Sequence, residues 1–333
     1  MTKKIIFIIS LVVIFLVAIF WYFQLSSLPE TPSILQDLKI GIKNNVISSL
    51  IIVADKQGFF KDEGLNVDII QYQSGKLAVQ ALVRNEVDVA ATFENVVVNN
   101  SLDRADFSIF TEVATTNKGC WITARSDRGI INPIDLVGKT IGTQKDSAVN
   151  YFLDMFLLFN NIKKDEVKIV FYDPKDLPKA LQMGEIDAFS MNNPYSAEAK
   201  QLLGEDKITE FFDDKIYRQY YDLVAMNSYI IDHKEMLSAI LKALIKAEAF
   251  AKNNPLDAQK QVIEFYGRDQ TENIVNTWSD YDFRVKLTQA QLLDLENEYR
   301  WKTNDGGDMP NYSDFVDYDI LHEIKPEAVT IIH

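Results

Sequence analysis

Cysteine is almost absent from this 333-residue chain, in which Cys120 stands alone. One thiol excludes an internal disulfide framework and any thiolate-bound metal cluster. Histidine is nearly as scarce, and His233, His322 and His333 all fall in the C-terminal third. The first two thirds therefore hold no imidazole for a hydrolytic triad or a catalytic metal site, and no cofactor is expected. An excess of positive charge is lacking too. Lys and Arg number 34 against 48 Asp and Glu, a net charge of −14. That balance excludes the basic face a nucleic-acid backbone needs and fits a solvated acidic surface. Hydrophobic residues, at 47%, suffice for real cores, and the length suits two ordinary domains.

One long apolar run stands apart from the rest. Residues 5–23 follow Lys3-Lys4, are apolar except for Ser10, and end in Trp21, Tyr22 and Phe23. This is about the length that crosses a bilayer core, and the two preceding lysines put the N-terminus inside. A cleaved leader would have a shorter apolar region and small residues at the cut. Leu25-Ser26-Ser27 matches that poorly, and no cysteine follows to carry a lipid. Residues 1–23 are therefore expected to be an uncleaved transmembrane anchor, with a signal peptide as the alternative. Residues 24–37, with Ser26, Ser27, Pro29, Pro32 and Ser33, read as a linker holding the globular part off the outer face of the membrane.

The globular part says nearly the same thing twice. Ala81-Leu82-Val83-Arg84-Asn85-Glu86-Val87-Asp88-Val89-Ala90 recurs as Ala180-Leu181-Gln182-Met183-Gly184-Glu185-Ile186-Asp187-Ala188-Phe189, and Ile40-Gly41-Ile42-Lys43 is echoed by Ile141-Gly142-Thr143-Gln144. Two similar strand–helix units predict two similar lobes, and the cleft between them is a place for a small molecule. Strands are expected at 38–42, 67–71, 87–92 and 107–114, and again at 140–143, 167–172 and 188–191. Alternation with helices implies parallel pairing and right-handed crossovers. Residues 119–124 are expected to cross from one lobe to the other and residues 220–226 to return. The spacing of Leu237, Ile240, Leu241, Leu244, Ala247 and Ala251 predicts an amphipathic helix over 234–252. Helices at 256–266, 272–280, 288–303 and near 312–323 should follow. The expected division is 38–123 with 224–333 for the first lobe and its helical C-terminal region, and 124–223 for the second.

Several strings resemble a known family. Gly58-Phe59-Phe60-Lys61-Asp62-Glu63-Gly64-Leu65 resembles the "G-x-F-x-x-x-G-L" of extracytoplasmic substrate-binding proteins of the nitrate/sulfonate/taurine type. Ile134-Asp135-Leu136-Val137-Gly138-Lys139-Thr140-Ile141-Gly142 resembles their entry to the second lobe, "x-D-L-x-G-K-x-I-G". Gly184-Glu185-Ile186-Asp187-Ala188 resembles their "G-x-[IV]-D-A", and Asn193-Pro194-Tyr195 stands where "E-P-Y" is common. The closing Lys325-Pro326-Glu327-Ala328-Val329-Thr330-Ile331-Ile332 is also similar. The resemblance covers residues 36–333 and implies an α/β, type II periplasmic-binding-protein fold of two doubly wound lobes. It implies a monomer that carries a sulfonate-, nitrate-, taurine- or pyrimidine-like solute to the permease subunits of an ABC importer. The chain departs from the family in lacking the usual leader and in having Asn193 in place of glutamate. A thiamine-pyrimidine-synthase branch shares the fold, but its cysteine-rich motif and cleft histidine are missing here. The chain is therefore expected not to be an enzyme. The alternative is a tethered sensor acting in trans on a membrane partner.

In open parallel sheets ligands bind beyond the carboxyl ends of the strands, and the repeat identifies those loops. In the first lobe they are Lys43-Asn44-Asn45, Gln73-Ser74-Gly75-Lys76 and Thr92-Phe93-Glu94. In the second they are Gln144-Lys145-Asp146-Ser147, Asp173-Pro174-Lys175 and Asn192-Asn193-Pro194-Tyr195. Ser74, Gly75 and Lys76 open a helix and offer free backbone N–H groups to an anion, as Ser147 does from the facing lobe; both serines equally suit plain N-caps. Asn44, Asn45, Asn192, Asn193 and Thr115 are candidate polar contacts, and Phe93, Tyr195 and Tyr221 candidate walls. Glu94 either complements its helix terminus or binds a ligand amine. No arginine lies in these loops, so bidentate recognition of an oxyanion has no obvious agent.

Overall fold

The computed structural model describes residues 35–304, 306 and 308–332. The expected anchor, residues 1–23, lies outside them. Among the described residues no helix is long and apolar enough to cross a membrane. The first strand already begins at Gln36, so the expected linker ends short of residue 37.

Among the described residues eleven strands form two mixed sheets. They are β1 (Gln36–Lys43), β2 (Leu65–Tyr72), β3 (Val89–Phe93), β4 (Phe107–Thr116), β5 (Trp121–Arg125), β6 (Thr140–Thr143), β7 (Lys168–Phe171), β8 (Ala188–Met191), β9 (Ile208–Phe211), β10 (Gln219–Met226) and β11 (Tyr281–Asp282). The first sheet has the order β11-β4-β10-β3-β1-β2 and the second β7-β6-β8-β5-β9. The expected parallel pairing holds for β1 with β3 and for β6 with β7 and β8. It fails for β10, antiparallel to β3 and β4, and for β5, antiparallel to β8 and β9. The reason is the path of the chain. β4 ends at the carboxyl edge of its sheet, so the strand entered next, β5, starts from the facing edge and runs backward. The return from β9 reverses β10 in the same way.

Both crossings lie earlier in the chain than the sequence suggested. Residues 220–226 belong to β10, in the middle of the first sheet, where Tyr221 pairs with Phe93 and Asp222 with Thr92. Their run, apolar but for Asp222 and the tyrosine hydroxyls, is that of a buried strand. The return crossing is the polar stretch 212–218. Residues 121–124 of the other expected crossing are paired within β5, which leaves 117–120 as the outgoing passage. The divisions at 123/124 and 223/224 thus cut through strands. Asn117 ties the crossings together: its Nδ2 donates to the Asp214 carbonyl at 2.8 Å, and its Oδ1 accepts from Arg218 Nε at 3.1 Å. Gly119 is needed there because a Cβ would overlap the Gln219 amide.

Each lobe has its own core. One runs from Leu38 to Ala114 and resumes from Tyr221 to Ile331; the other spans Cys120 to Tyr217. The helix Lys234–Asn253 buries all six residues of the predicted stripe against the first core. Leu237, Ile240, Leu241 and Leu244 are wholly inaccessible, and each is worth roughly 1.5–3 kcal/mol by burial. Later elements are shorter than expected. Residues 272–280 split into the helix Thr271–Thr277 and a 3-10 turn Trp278–Asp280, and 312–323 into a turn Tyr312–Phe315 and the helix Asp319–Ile324.

Candidate functional site

The carboxyl ends of β1, β2 and β3 lie side by side, because β1 is central to that trio. Asn44 N donates to the Tyr72 carbonyl at 2.9 Å, which draws the β1 and β2 loops together. Ser74 caps the helix Gly75–Val83, its hydroxyl accepting from Leu77 N at 3.3 Å. Gly75 presses on β3: an added Cβ would lie 2.6 Å from Thr92 Oγ1 and 3.0 Å from Thr92 Cα. Gly75→Ala should therefore destabilise by about 1–3 kcal/mol through overpacking. Calorimetry should show the lower melting temperature, and Thr92→Ala in the same chain should recover part of the loss.

Lys43, the last residue of β1, supplies a cation where the candidate loops hold no arginine. Its ammonium stands over the Phe93 ring, 5.1 Å from the centroid, and no acceptor of a described residue engages it. It is half-buried as a residue, yet its head is enclosed enough for burial to pull its pKa below the usual lysine range. An enclosed cation at a strand end, without an acceptor among the described residues, suits an anion. Its sequence signal was its place immediately after Ile40-Gly41-Ile42, at the mouth of a strand.

Several predicted residues already have structural partners. Tyr221, fully buried, accepts from Lys43 N at 2.8 Å, lies 2.9 Å from Ser48 Oγ, and packs on Phe93 at 5.1 Å. It therefore positions the β1 loop. Asn45 caps the turn Val46–Ser48 through Ile47 N at 3.2 Å, and Tyr266 holds its backbone. Thr115 lines a separate cavity of about 430 Å³ at the crossings, with Asn117, Lys118 and Arg218.

In the facing lobe Ser147 caps the helix Ala148–Phe159, accepting from Asn150 N at 3.4 Å and donating to the Gln144 carbonyl at 2.6 Å. Asn192, Asn193 and Tyr195 follow β8, where the Asn193–Pro194 peptide is cis; Asn193 is exposed and Asn192 and Tyr195 half-buried. Trp121, at the start of β5, pairs with Met191 at the same edge, and its indole N–H is buried without an acceptor.

Glu94 lies deeper than a rim residue. It is wholly buried, accepting from the Tyr217 hydroxyl and from Tyr220 N at 2.7 Å. Burial raises its pKa to about 7. Glu298, also buried, lies 3.0 Å from the same Tyr217 hydroxyl. Across the central strands Thr92, Asp222 and Glu112 form a buried polar row: Asp222 accepts from Gln291 Nε2 at 2.6 Å, and Lys286 lies 3.3 Å from Glu112. Burial pushes Glu112 up to about 8 and Asp222 well above the carboxylate range. Sequence gave no sign of this row, since alternation marks a face as buried without saying what is opposite.

A further cavity, of about 880 Å³, lies between the Ala148–Phe159 helix and the end of the helix Gln289–Thr303, lined among others by Asp154, Leu158, Phe171 and Trp301. Asp146, from the predicted loop 144–147, also lines it, whereas none of the candidate contact residues does. Among the described residues no cluster of three or more His, Cys, Asp or Glu is arranged to hold a metal ion.

Comparison with known proteins agrees with this architecture. The family described as NMT1/THI5 like matches residues 45–258. A protein of Bacillus subtilis (strain 168), provisionally named for aliphatic sulfonate binding, is 24% identical over 279 residues, 81% of this chain and 83% of its own. Among solved structures, the periplasmic aliphatic sulphonate binding protein SsuA from Escherichia coli superposes with a TM-score of 0.68 at 15% identity, over 84% of this chain and 97% of its own. The periplasmic nitrate-binding protein NrtA from Synechocystis PCC 6803 gives 0.61 at 11% identity, over 88% and 89%. The fold is thus that of type II periplasmic binding proteins: two lobes, a central cleft and a helical C-terminal region.

Proposed function

The chain belongs to the NMT1/THI5-like family, and we propose that it is an extracytoplasmic solute-binding protein that closes on a small organic or oxyanionic solute and delivers it to an ABC importer. The observation that carries this reading is Lys43, a cation at the mouth of β1 without an anionic partner among the described residues. After the neighbouring strand β2, Ser74, Gly75 and Lys76 open a helix, and Ser147 opens another from the facing lobe. An oxyanion would satisfy donors from both lobes at once and so favour the closed form. Glu94 is taken up by Tyr217 and Tyr220, so it recognises no ligand amine and serves the fold. The names of the relatives, which concern sulfonates and nitrate, support the same class of solute. The protein is a monomeric carrier, not an enzyme, and residues 5–23 hold it at the outer face of the membrane.

Thermal-shift screening of the full-length chain tests the reading, since a solute that binds only the folded state raises its melting temperature. Alkanesulfonates, taurine, nitrate, pyrimidines and amino acids form the panel, and an anion without an amine should give the largest rise. No rise with any of them, alongside a stable protein partner, would favour a sensor role instead. Intact mass of the chain extracted from membranes should include residues 1–23; a mature chain starting near Ser27 would contradict the anchor.

A further inference from the structure

The return crossing is fastened at one tyrosine. Tyr217 is buried in the core of the second lobe, yet its hydroxyl reaches two carboxyls of the first. One is Glu94, in the opening turn of the helix Glu94–Ser101; the other is Glu298, on the helix Gln289–Thr303, at 3.0 Å. Tyr151, from the second lobe's Ala148–Phe159 helix, packs edge-on against Tyr217 at 5.3 Å and against Trp301 at 5.2 Å. The Trp301 indole donates to Asp154 of that helix at 2.7 Å. Both the crossing and the second-lobe helix are thus held by the one patch of first-lobe surface that carries Glu298.

This fastening needs more protons than the phenol alone supplies. A phenol has one O–H and donates one full bond, but the Tyr217 oxygen touches a carboxyl oxygen on each side. One contact is filled by the phenol proton; the other has to be filled by a proton on a carboxyl, donated to the phenol oxygen. With both carboxyls ionised, one contact becomes lone pair against lone pair, and two buried anions face each other.

We propose that Glu94, Tyr217 and Glu298 form a proton-filled clasp on the return crossing, which holds the two lobes as they stand and releases them when the shared proton leaves.

The surroundings favour the protonated form of the pair. The groups facing the pair are Tyr217 and Cys120 from the two crossings, Tyr151 from the second lobe, Asp294 on Glu298's own helix, Asp222 from β10 and Tyr312 from the C-terminal segment. The nearby cations act elsewhere: Arg218 on Asp294 and Tyr220, Lys43 on Cys120. Burial keeps both carboxyls protonated beyond the usual carboxylate range. The proton is therefore present at acid to neutral pH and is lost as pH rises, and the clasp opens in the same direction. Solute release at the permease would then respond to local pH whichever solute is carried.

Distances between nitroxide labels on the full-length chain test this. Lys61→Cys and Lys179→Cys put one exposed label on each lobe, and Cys120, being buried, stays unlabelled. Without solute, the distance distribution should broaden and shift between about pH 6 and about pH 9. Glu298→Gln supplies a permanent amide donor to the phenol oxygen, so it should hold the low-pH distribution at both values. Tyr217→Phe removes the clasp and should show the released distribution at both. Identical wild-type distributions at the two pH values would overturn the proposal. So would a Glu298→Gln chain that responds to pH as the wild type does. Glu94→Gln replaces Glu298→Gln should that variant fold poorly.

Discussion

Replacing Lys43 with methionine should lower affinity for the anionic solute by two to three orders of magnitude while leaving the melting temperature of the solute-free protein unchanged or higher. Removing one partner of an enclosed charge pair costs about 2–5 kcal/mol of binding. Without solute the sign reverses, because no acceptor of a described residue engages the ammonium and burial already opposes its charge. Methionine keeps the length of the side chain and its contact with the Phe93 ring while removing that uncompensated charge. A purely structural lysine would behave differently: the melting temperature would fall and affinity would fall only with it. Titration calorimetry on the full-length chain, with the panel anion that gives the largest thermal shift, separates the two. Lys43→Arg should retain part of the affinity, since it keeps the charge but changes its reach.

Stability should fall as pH rises from mildly acidic to alkaline, contrary to the behaviour of proteins whose carboxylates are salt-bridged. Glu112 is fully buried, and its pKa rises from 4.5 to about 8; Glu94 rises to about 7 and Asp222 and Glu298 well above their ordinary values. A raised folded-state pKa means that the native state binds more protons than the unfolded one. The contribution is therefore complete below the unfolded carboxyl pKa and is lost as pH climbs through the folded value. For Glu112 the window runs from 4.5 to about 8, and at about 1.4 kcal/mol per unit the loss is on the order of 4–5 kcal/mol. Carboxylates with arginine partners, Asp106 and Asp127, have lowered pKa values and weaken the fold only in stronger acid. The optimum should thus lie on the acid side of neutrality. Glu112→Gln should flatten the alkaline limb of melting temperature against pH, with Lys286 still within 3.7 Å of Asp282. An unchanged limb in that variant would place the titration elsewhere.

Much of the fold was legible because repetition and burial leave marks on composition. The paired Glu-[Val/Ile]-Asp strings located β3 and β8, and the 3.6-residue spacing of Leu237 to Ala251 located a helix to within a residue. The crossings were misplaced because a buried strand and an apolar connection share a composition; only pairing partners distinguish them, and these are distant in sequence. At the site, Ser74 and Ser147 both proved to be N-caps, which the pattern before a helix does specify. Glu94 was not decipherable, since its partners Tyr217 and Tyr220 come from the return crossing and β10, more than a hundred residues later. Lys43 was visible but undervalued, because isolation from acidic partners is a property of space and not of order along the chain.

The central claim is one solute held by loops of both lobes, and hydrogen–deuterium exchange on the full-length chain with the best panel anion tests it most directly. Backbone amides at 43–46 and 74–77 in the first lobe and at 144–150 and 192–195 in the second should slow together when the anion is added, and none should slow in Lys43→Met at the same concentration. Protection confined to one lobe, or centred on the cavity lined by Asp154, Leu158 and Trp301, would contradict it.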